Sequence, residues 1–523
     1  MRIRIGFTLV AALFTVASTT SAQTFPVEDP VLQRIWEEGT ENSQTYSLAQ
    51  ALLDSIGPRL SGSPAHKAAN QWAVQMYQSW GIEARNEQYG TWMNWERGIT
   101  HIDLLEPRVR TLEGMLLAWS AGTRGKVKAG VVILPDVADS AAFQAWLPEA
   151  RNKFVLVSYP EPSCRPNDNW EEYATAASFE RMQAERDTAR REWRARIERT
   201  GYNQRSLPGV LEEAGVSGIL TTSWPGGWGV HRVFSASTEE GPSLGLSCED
   251  YGLVYRLAKH DQGPVLEVEA HARFHGEEPI FNTIAEIRGT EKPDEYVVFS
   301  AHFDSWDGGS GATDNGTGSV IMMEAMRILK AVYPNPKRTI IAGLWGAEEQ
   351  GLIGSRAFVA DHPEVVDGLQ VLLNQDNGTG RIVRASGGGL TRSGEYLGRW
   401  LSAIPTEISR HIDLTVPGTP SGGGSDHASF ACTGGPAMGL GSLNWSYFPY
   451  TWHTQRDTFD KIVLDDLKNN ATLYAMLAYL AAEEDELMPR DQRVLPVSQR
   501  TGEQMTWPEC RTPMRSWGEY RRR

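Results

Sequence analysis

Metal-binding side chains are concentrated in one short stretch of the sequence, residues 300–318, which reads SAHFDSWDGGSGATDNGTG. His302 and Asp304 follow an apolar run, and Asp314 lies in a glycine-rich loop that leads into a helical pattern from Ser319 to Lys330. A strand, a loop and a helix in this order form the edge at which α/β sheets bind ligands. Because the stretch contains no lysine or arginine, its carboxylates would repel one another, and a bound cation is the expected compensation.

Side chains of the same kinds follow later predicted strands. Glu348 and Glu349 come shortly after one apolar run, Asp376 comes directly after the next, and His453 precedes the last predicted helix. Because ligands of α/β sheets bind outside the carboxyl ends of the strands, we expect these side chains to converge on His302. Imidazole and carboxylate groups suit zinc, cobalt or manganese. The sequence therefore predicts a metal centre.

Apolar runs alternate with amphipathic stretches through the C-terminal half of the chain. Strands are predicted at Thr283–Ile287, Tyr296–Ala301, Thr339–Leu344, Leu369–Leu373 and Pro436–Leu440. Helices are predicted at Ser319–Val332, Gly354–Ala360, Gly394–Ala403 and Leu464–Ala482. This alternation predicts an α/β fold in which helices flank a central mixed, mostly parallel sheet. Upstream the predicted strands are shorter, and the mixed charge of one long helix at Trp170–Arg199 indicates a solvated face.

The chain has 523 residues, which is long enough for two or three domains. The predicted division is a signal peptide at 1–22, the N-terminal part of the main domain at 23–112, an inserted smaller β-rich α/β domain at 113–275, the catalytic domain at 276–488 and a C-terminal tail at 489–523. The inserted domain has no cluster of His, Asp and Glu with catalytic spacing, so no chemistry is assigned to it. The tail has weak periodicity, and we expect it to pack loosely or not at all.

The first 22 residues have the pattern of a secretory signal. Arg2 and Arg4 precede an apolar run that is too short to span a bilayer, and small residues occupy positions 20–22. No cysteine lies near this cleavage site, so no lipid anchor is indicated. A net charge of -15 argues against nucleic acid or an anionic membrane as a partner. The protein is therefore expected to be secreted or periplasmic.

Four cysteines are spread along the chain at Cys164, Cys248, Cys432 and Cys510, without the CxxC spacing of a metal site. In an exported protein an even number of cysteines permits disulfides. Four cysteines allow three pairings, and the sequence does not choose among them.

The motifs together resemble a known family of enzymes. They are His302-x-Asp304, Asp314-Asn315-Gly316, Glu348-Glu349, Asp376 and His453-Thr-x-x-Asp457. In this order they resemble the secreted zinc exopeptidases with a co-catalytic metal pair, the family of bacterial leucine aminopeptidases, carboxypeptidase Q and glutamate carboxypeptidase II. The phrase His302-Phe-Asp-Ser-Trp-Asp-x-Gly is particularly similar to carboxypeptidase Q. Residues 125–265 resemble the protease-associated domain that many members insert.

This resemblance implies two zinc ions per chain. Asp314 would bridge them, with His302 and Asp376 completing one site and Glu349 and His453 completing the other. Two such ions can hold one water between them and lower its pKa towards neutral.

The resemblance also implies roles for residues beside the metals. Glu348 would be the general base, because a zinc-bound carboxylate such as Glu349 is a poor base. Asp304 would hydrogen-bond the far nitrogen of His302 and so fix its tautomer. Asp457 would support His453 or its loop, and the peptide bond between Asp314 and Asn315 would be cis, as is typical of the family.

The substrate side is less defined by the motifs. Asp426 and His427 resemble part of the loop that borders the family's substrate pocket, where they either contact substrate or order the loop. Where many aminopeptidases have a tyrosine before the last histidine ligand, this chain has Trp452. Tyr450 is our candidate for the hydroxyl that polarises the scissile carbonyl.

The predicted function is that of an exported dinuclear zinc exopeptidase that removes N-terminal residues from peptides or cleaves dipeptides. A carboxypeptidase is the alternative within the same class, with Arg381, Arg384 or Arg392 binding the substrate carboxylate. An inactive binding protein or receptor ectodomain would lack a ligand or the base, and a glutaminyl cyclase on a related fold would bind a single zinc. The sequence indicates neither the preferred side chain nor the oligomeric state.

Overall fold

The computed structural model describes residues 29–376 and 379–522. The predicted signal peptide at 1–22 lies outside these residues. Helices precede the first long strand. The elements of this first part are α1 Pro30–Glu41, α2 Thr45–Gln50, a π-helical turn Ala51–Ile56, α3 Pro64–Ser79, β1 Glu83–Glu106 and β2 Arg110–Thr111. Helix α3 begins at Pro64, because the Ser63 side chain accepts a hydrogen bond from the His66 N–H and Pro64 occupies the first helical turn.

The middle of the chain alternates short strands and helices. Its elements are β3 Gly114–Leu116, β4 Val127–Ile133, α4 Ser140–Ala150, β5 Phe154–Leu156, α5 Asn167–Tyr173, α6 Ala176–Arg199, α7 Leu207–Glu213, β6 Gly218–Thr221, β7 Ser243–Leu246, α8 Cys248–Lys259 and β8 Val265–Ile287. The prediction of one helix over 170–199 is wrong. Ala174 and Thr175 are extended, and the Thr175 side chain caps α6 by accepting from the Ser178 N–H.

The remaining elements follow the predicted alternation of strands and helices. They are β9 Lys292–His302, a kinked turn Ala312–Gly316, α9 Thr317–Val332, β10 Arg338–Trp345, α10 Ile353–Asp361, α11 Pro363–Asp367, β11 Leu369–Gln375, β12 Ile382–Ser386, α12 Ser393–Ala403, α13 Thr406–Ser409, β13 Asp413–Thr415, α14 His427–Ala431, β14 Ala437–Ser442, α15 Tyr447–Tyr450, a 3₁₀ turn Phe459–Lys461, α16 Leu464–Glu483 and α17 Trp517–Arg522.

A sheet of fourteen strands passes through the described part of the chain in the order β13-β12-β14-β11-β9-β10-β8-β4-β5-β6-β7-β3, and β1 pairs with β8 while β2 pairs with β1. Its centre is parallel, because β9 pairs in parallel with β10 and β11, and β11 pairs in parallel with β14. The prediction of an α/β fold with a mixed sheet is confirmed. Buried side chains of α9 and α16 cover one face of this centre. Because its strands are parallel, their carboxyl ends lie at one edge.

Strand β8 connects the centre of the sheet to the middle region. Its residues 283–287 pair with β10, and its residues 265–268 pair with β4. The middle region has hydrophobic clusters of its own, built around residues such as Leu156, Leu220 and Leu244. The predicted boundary at 275 therefore falls inside a strand that the two parts share.

The C-terminal tail, 489–522 in the described part of the chain, is anchored at several points. Cys510 forms a disulfide with Cys432, and Trp517 packs 5.5 Å from Trp92 and 5.1 Å from Trp119 between ring centroids. The expectation of loose packing fits much of the tail, where Val494, Val497 and Met505 are exposed, but it is wrong for the end of the tail, which the disulfide and the aromatic contacts of Trp517 hold in place. The other two cysteines, Cys164 and Cys248, form a second disulfide in the middle region.

Candidate active site

Four of the predicted site residues lie at the carboxyl ends of parallel strands. His302 is the last residue of β9, Glu348 and Glu349 follow β10, and Asp376 follows β11 directly. The register pairs His302 with Trp345, the last residue of β10. Parallel pairing thus places these side chains at one edge of the sheet, as the sequence pattern predicts.

The two carboxylate oxygens of Asp314 face different histidines. Its Oδ1 lies 3.2 Å from His302 Nε2, and its Oδ2 lies 3.3 Å from His453 Nε2. His302 Nε2 also lies 3.4 Å from Asp376 Oδ1, and His453 Nε2 lies 2.9 Å from Glu349 Oε2. The structure therefore brings the five predicted ligand residues into two groups of three that share Asp314.

These two groups fit metal ions by their chemistry. Within each group the potential ligand atoms lie within 4.8 Å of one another. Among the described residues, Asp314 Oδ2 and Glu349 Oε1 are buried and have no hydrogen-bond partner. Buried carboxylate oxygens without partners are costly, and a cation bound between the two groups would remove that cost. Each group offers imidazole and carboxylate ligands and leaves room for further ligands, as catalytic zinc sites do.

Asp304 supports the site through different atoms from those predicted. The His302 Nδ1 lies 3.0 Å from the backbone carbonyl oxygen of Asp304 and 3.8 Å from its carboxylate. The carboxylate instead accepts the N–H groups of Glu348 and Glu349, at 3.0 and 3.3 Å, and the hydroxyl of Ser61 at 3.1 Å. The prediction of a carboxylate–histidine bond is wrong, because the turn after β10 occupies the carboxylate. Asp304 therefore orients the histidine with its backbone and both glutamates with its side chain.

Asp457 holds the loop of Asp314 rather than His453. Its two carboxylate oxygens accept the N–H groups of Thr313 and Asp314, at 2.8 and 3.0 Å. Burial raises the pKa of Asp457 to about 7, and the neighbouring charge of Asp314 adds to this shift. The peptide bond between Asp314 and Asn315 is cis, as the resemblance implies.

Sequence reasoning missed the role of Arg59. This fully buried side chain donates hydrogen bonds to the carbonyl oxygens of Phe303, Ser310 and Gly311, at 2.7, 2.8 and 2.9 Å. Burial lowers its pKa to about 10, so the guanidinium stays charged at neutral pH. Arg59 thus shapes the loop that follows β9 and places a positive charge beneath the acidic cluster. The signal in the sequence was a single arginine in a Gly-Pro-Arg-Leu-Ser-Gly turn.

His453 is held by the middle region of the chain, to which no functional residue was assigned from sequence. The Val233 N–H donates to the His453 carbonyl oxygen at 2.8 Å, and the Phe234 ring lies 5.2 Å from the imidazole. Trp306 and Trp452 lie 5.9 and 3.9 Å from the same ring. Burial lowers the pKa of His453 to about 4, which favours the neutral imidazole that metals bind.

Glu348 lies beside the ligand set without belonging to either group. Its carboxylate lines the cavity above the sheet edge. Burial raises the pKa of Glu348 well above its usual range, and the charges of Asp376 and Asp426 add to the shift. A carboxyl group with this environment can hold a proton between two steps of a reaction.

The cavity over this edge has a volume of about 1120 Å³. The predicted site residues that line it are Asp314, Glu348, Glu349, Asp376, His427 and His453. The prediction for Tyr450 is wrong, because its ring packs against Gly227 of the middle region, where an added Cβ would lie 2.7 Å from the ring. Tyr447, which is 4% exposed, lines the cavity instead. Burial raises its pKa well above the usual value, so its hydroxyl remains protonated.

Only one residue of the predicted substrate-loop pair reaches the cavity. His427 lines it, and burial lowers the pKa of His427 to about 4. Its ring fits because position 439 is glycine, where an added Cβ would lie 2.9 Å from the His427 Cε1. Asp426 is fully buried and does not line the cavity, and burial raises its pKa to about 7. Asp426 therefore acts on the site through its charge, which contributes to the raised pKa of Glu348.

Of the three arginines predicted to bind a substrate carboxylate, only Arg384 lines the cavity. Arg392 pairs on the surface with Glu395 at 2.8 Å. Three further arginines line the cavity that the sequence pattern did not indicate, Arg356 from α10 and Arg493 and Arg511 from the tail.

The known proteins that this chain resembles are peptidases. Residues 282–478 match the model of peptidase family M28. Carboxypeptidase Q of Mus musculus is 27% identical over 464 residues, which is 86% of this chain and 88% of that protein. Among solved structures, a peptidase M28 precursor from Shewanella amazonensis has a TM-score of 0.63 at 24% identity and covers 89% of this chain and 98% of its own. BSAP, a zinc aminopeptidase from Bacillus subtilis, has a TM-score of 0.53 at 19% identity and covers 86% and 96%.

Proposed function

Because residues 282–478 match the model of peptidase family M28, in agreement with the predicted resemblance, we propose that this metallo-exopeptidase is exported and uses two zinc ions per chain. It hydrolyses the peptide bond at the N-terminus of peptides or in dipeptides. The observation that carries the proposal is Asp314, whose two oxygens face His302 and His453 at 3.2 and 3.3 Å. An inactive binding protein would lack a ligand or the base, and this chain has both.

The two groups around Asp314 would hold the metals. His302 and Asp376 would complete one site, and Glu349 and His453 the other. A bound zinc pair supplies the Lewis acidity that activates water as a nucleophile. The zinc aminopeptidase of similar fold supports the choice of metal.

Glu348 moves the proton in this mechanism. Its carboxylate takes a proton from the attacking water and returns it to the nitrogen of the leaving amine. The hydrogen bond from its N–H to the Asp304 carboxylate fixes the turn that carries it. Tyr447 donates its hydroxyl proton towards the scissile carbonyl oxygen as negative charge develops there, which is the contribution of an oxyanion-hole donor.

Replacing Glu348 tests the proposal. We expect Glu348→Gln to lower kcat at least about 100-fold, because the amide cannot accept the proton, while the protein retains two zinc equivalents in elemental analysis. Glu349→Gln is the matched control and should lose metal as well as activity. Retained activity in Glu348→Gln would contradict the assignment, and one zinc per wild-type chain would favour the single-zinc cyclase alternative.

The second candidate is a carboxypeptidase, and the arginines that line the cavity favour it. A matched panel of peptides with free, N-acetylated and C-amidated ends separates the candidates. Loss of cleavage on acetylation alone indicates an aminopeptidase, and loss on amidation alone indicates a carboxypeptidase. Loss on both indicates a dipeptidase. A chelator control should abolish all cleavage.

Export is part of the proposal. The two disulfides of the structure suit an oxidising compartment. Within residues 29–376 and 379–522, no helix is both long and apolar enough to cross a membrane. Cleavage of the exported protein after residue 22, read by N-terminal sequencing, would test the signal peptide.

A further inference from the structure

A second cavity lies in the middle region and shares none of its lining residues with the cavity over the metal-binding edge. Its volume is about 610 Å³, and small-molecule sites have volumes of about 300–1,000 Å³. It lies at the carboxyl ends of the parallel strands β5 and β6, because Val157 and Thr222 directly follow these strands and line it. Ligands of α/β sheets bind at this edge.

Three aromatic rings line this cavity, those of Tyr159, Trp193 and Trp224. Helix α6 places a guanidinium group over each ring. The pairs, with the distance to the ring centroid, are Arg190 over Tyr159 at 5.6 Å, Arg196 over Trp193 at 4.7 Å and Arg186 over Trp224 at 4.9 Å. Because these contacts fix the rings, the wall needs little rearrangement when a ligand binds. The arginines of the long charged helix thus brace the cavity.

The charged side chains of the wall already have partners within the protein. Arg190 donates to the Tyr159 hydroxyl at 2.9 Å and to the buried Glu161 carboxylate at 3.3 Å. The guanidinium of Arg232 lies over the ring of Trp452, 4.5 Å from its centroid. Because these charges have partners, they do not by themselves require an ionic ligand.

Hydroxyl groups form much of the remaining polar lining, since seven serine and threonine residues line the cavity. Among the residues that the structure describes, the side chains of Ser223 and Ser237 have no hydrogen-bond partner. A hydroxyl group is both a donor and an acceptor, and so is each hydroxyl group of a sugar. Aromatic rings present an apolar surface beside these groups, which suits the C–H groups of a sugar ring. The lining is therefore complementary to a saccharide.

An extended peptide fits this cavity less well. Peptides commonly bind to a sheet by adding a strand at a free edge. Strand β5 is paired with β4 and β6, and β6 is paired with β5 and β7. Neither strand offers a free edge at the cavity, so the binding groups are the side chains.

We propose that this cavity binds a saccharide, which makes the middle region a second binding site of the protein. The aromatic rings contact the C–H groups of the sugar, and Ser223 and Ser237 exchange hydrogen bonds with its hydroxyl groups. The inference goes beyond the proposed peptidase function and does not depend on it, because no predicted metal ligand and no predicted base lines this cavity.

Saturation-transfer NMR on the metal-loaded protein tests the proposal with glucose, N-acetylglucosamine, maltose and diacetylchitobiose. We expect at least one of these sugars to bind, and we expect Trp224→Leu to raise its Kd about tenfold because a ring contact is lost. Ser223→Ala/Ser237→Ala should also raise the Kd roughly tenfold. Trp228→Leu is the matched control, because Trp228 is exposed and does not line the cavity, and it should leave the Kd unchanged.

Three results would overturn the saccharide site. They are binding of none of these sugars, an unchanged Kd in both the Trp224 and the serine variants, and binding of an N-acetylated, C-amidated tetrapeptide in place of a sugar. Thermal melting of each variant checks folding, and the serine variant, which removes only two hydroxyl groups, keeps the test valid if Trp224→Leu does not fold. Glu348→Gln should bind the sugar as wild type does, so the outcome is separate from that of the proposed function.

Discussion

Tyr447 and Tyr450 lie three residues apart in the short helix α15, yet only Tyr447 lines the cavity. The ring of Tyr450 packs against the backbone of Gly227 in the middle region. The environment of each side chain, rather than its distance from His453 in sequence, therefore decides which hydroxyl can reach a substrate.

Phenylalanine at these two positions gives a matched comparison. Tyr447→Phe removes the donor to the developing oxyanion, so kcat should fall about 100-fold or more while KM changes little. Tyr450→Phe should leave kcat within about twofold of wild type, because its hydroxyl does not reach the cavity. Steady-state kinetics on one peptide measures both variants. If the two substitutions had equal effects on kcat, neither hydroxyl could be assigned as the donor to the scissile carbonyl oxygen.

At the scale of elements, the loop Gly229–Phe234 of the middle region supports a ligand that lies more than two hundred residues later. Gln455 joins the two, since its Oε1 accepts the His231 N–H at 3.0 Å and its Nε2 donates to the Gly229 carbonyl at 2.8 Å. Together with the bond from Val233 to His453, these contacts fix the loop that carries the metal ligand. The middle region thus helps to position the metal ligand His453, although it supplies no predicted metal ligand.

Gln455→Ala tests this connection. The substitution leaves two backbone groups without partners, so the free energy of unfolding should fall by about 1–3 kcal/mol, and the protein should retain fewer than two zinc equivalents after dialysis. Lys126→Ala, which removes an exposed ion pair with Glu267 in the same region, should change neither quantity. Reduced stability with full metal content would show that the loop has only a structural role.

At the scale of the whole molecule, the tail crosses from the edge of the cavity to the first long strand. Arg515 pairs with Asp361 of α10 at 2.7 Å and donates to the Tyr89 carbonyl of β1 at 3.2 Å. The disulfide between Cys432 and Cys510 closes a loop of the chain with a sequence separation of 78. The tail therefore links parts of the molecule that have separate hydrophobic clusters.

Removing this disulfide should lower stability. Cys432→Ser/Cys510→Ser should lower the free energy of unfolding by about 2–5 kcal/mol, as expected for a loop of this size. Urea unfolding measures the effect. Cys164→Ser/Cys248→Ser opens a loop of similar sequence separation, 84, and should lower stability by a similar amount; an unchanged free energy of unfolding in the first variant would show that the bond does not stabilise the fold.

Sequence patterns alone predict the α/β class, the strand ends and the convergence of His302, Asp314, Glu349 and Asp376 at one edge. They do so because apolar runs define buried strands, and because parallel strands necessarily bring their carboxyl ends together. The choice of Glu348 as base came from the resemblance to the zinc exopeptidases, and it stays a prediction. These inferences depend on local patterns and on the chemistry of each side chain.

Which atoms make the supporting contacts depends on three-dimensional packing. Whether the carboxylate or the carbonyl of Asp304 orients His302 depends on how the turn after β10 approaches it. The disulfide pairing and the anchoring of the tail depend on contacts between residues far apart in sequence, which no periodicity records. The same is true of the contact between Val233 and His453, because long-range packing fixes it.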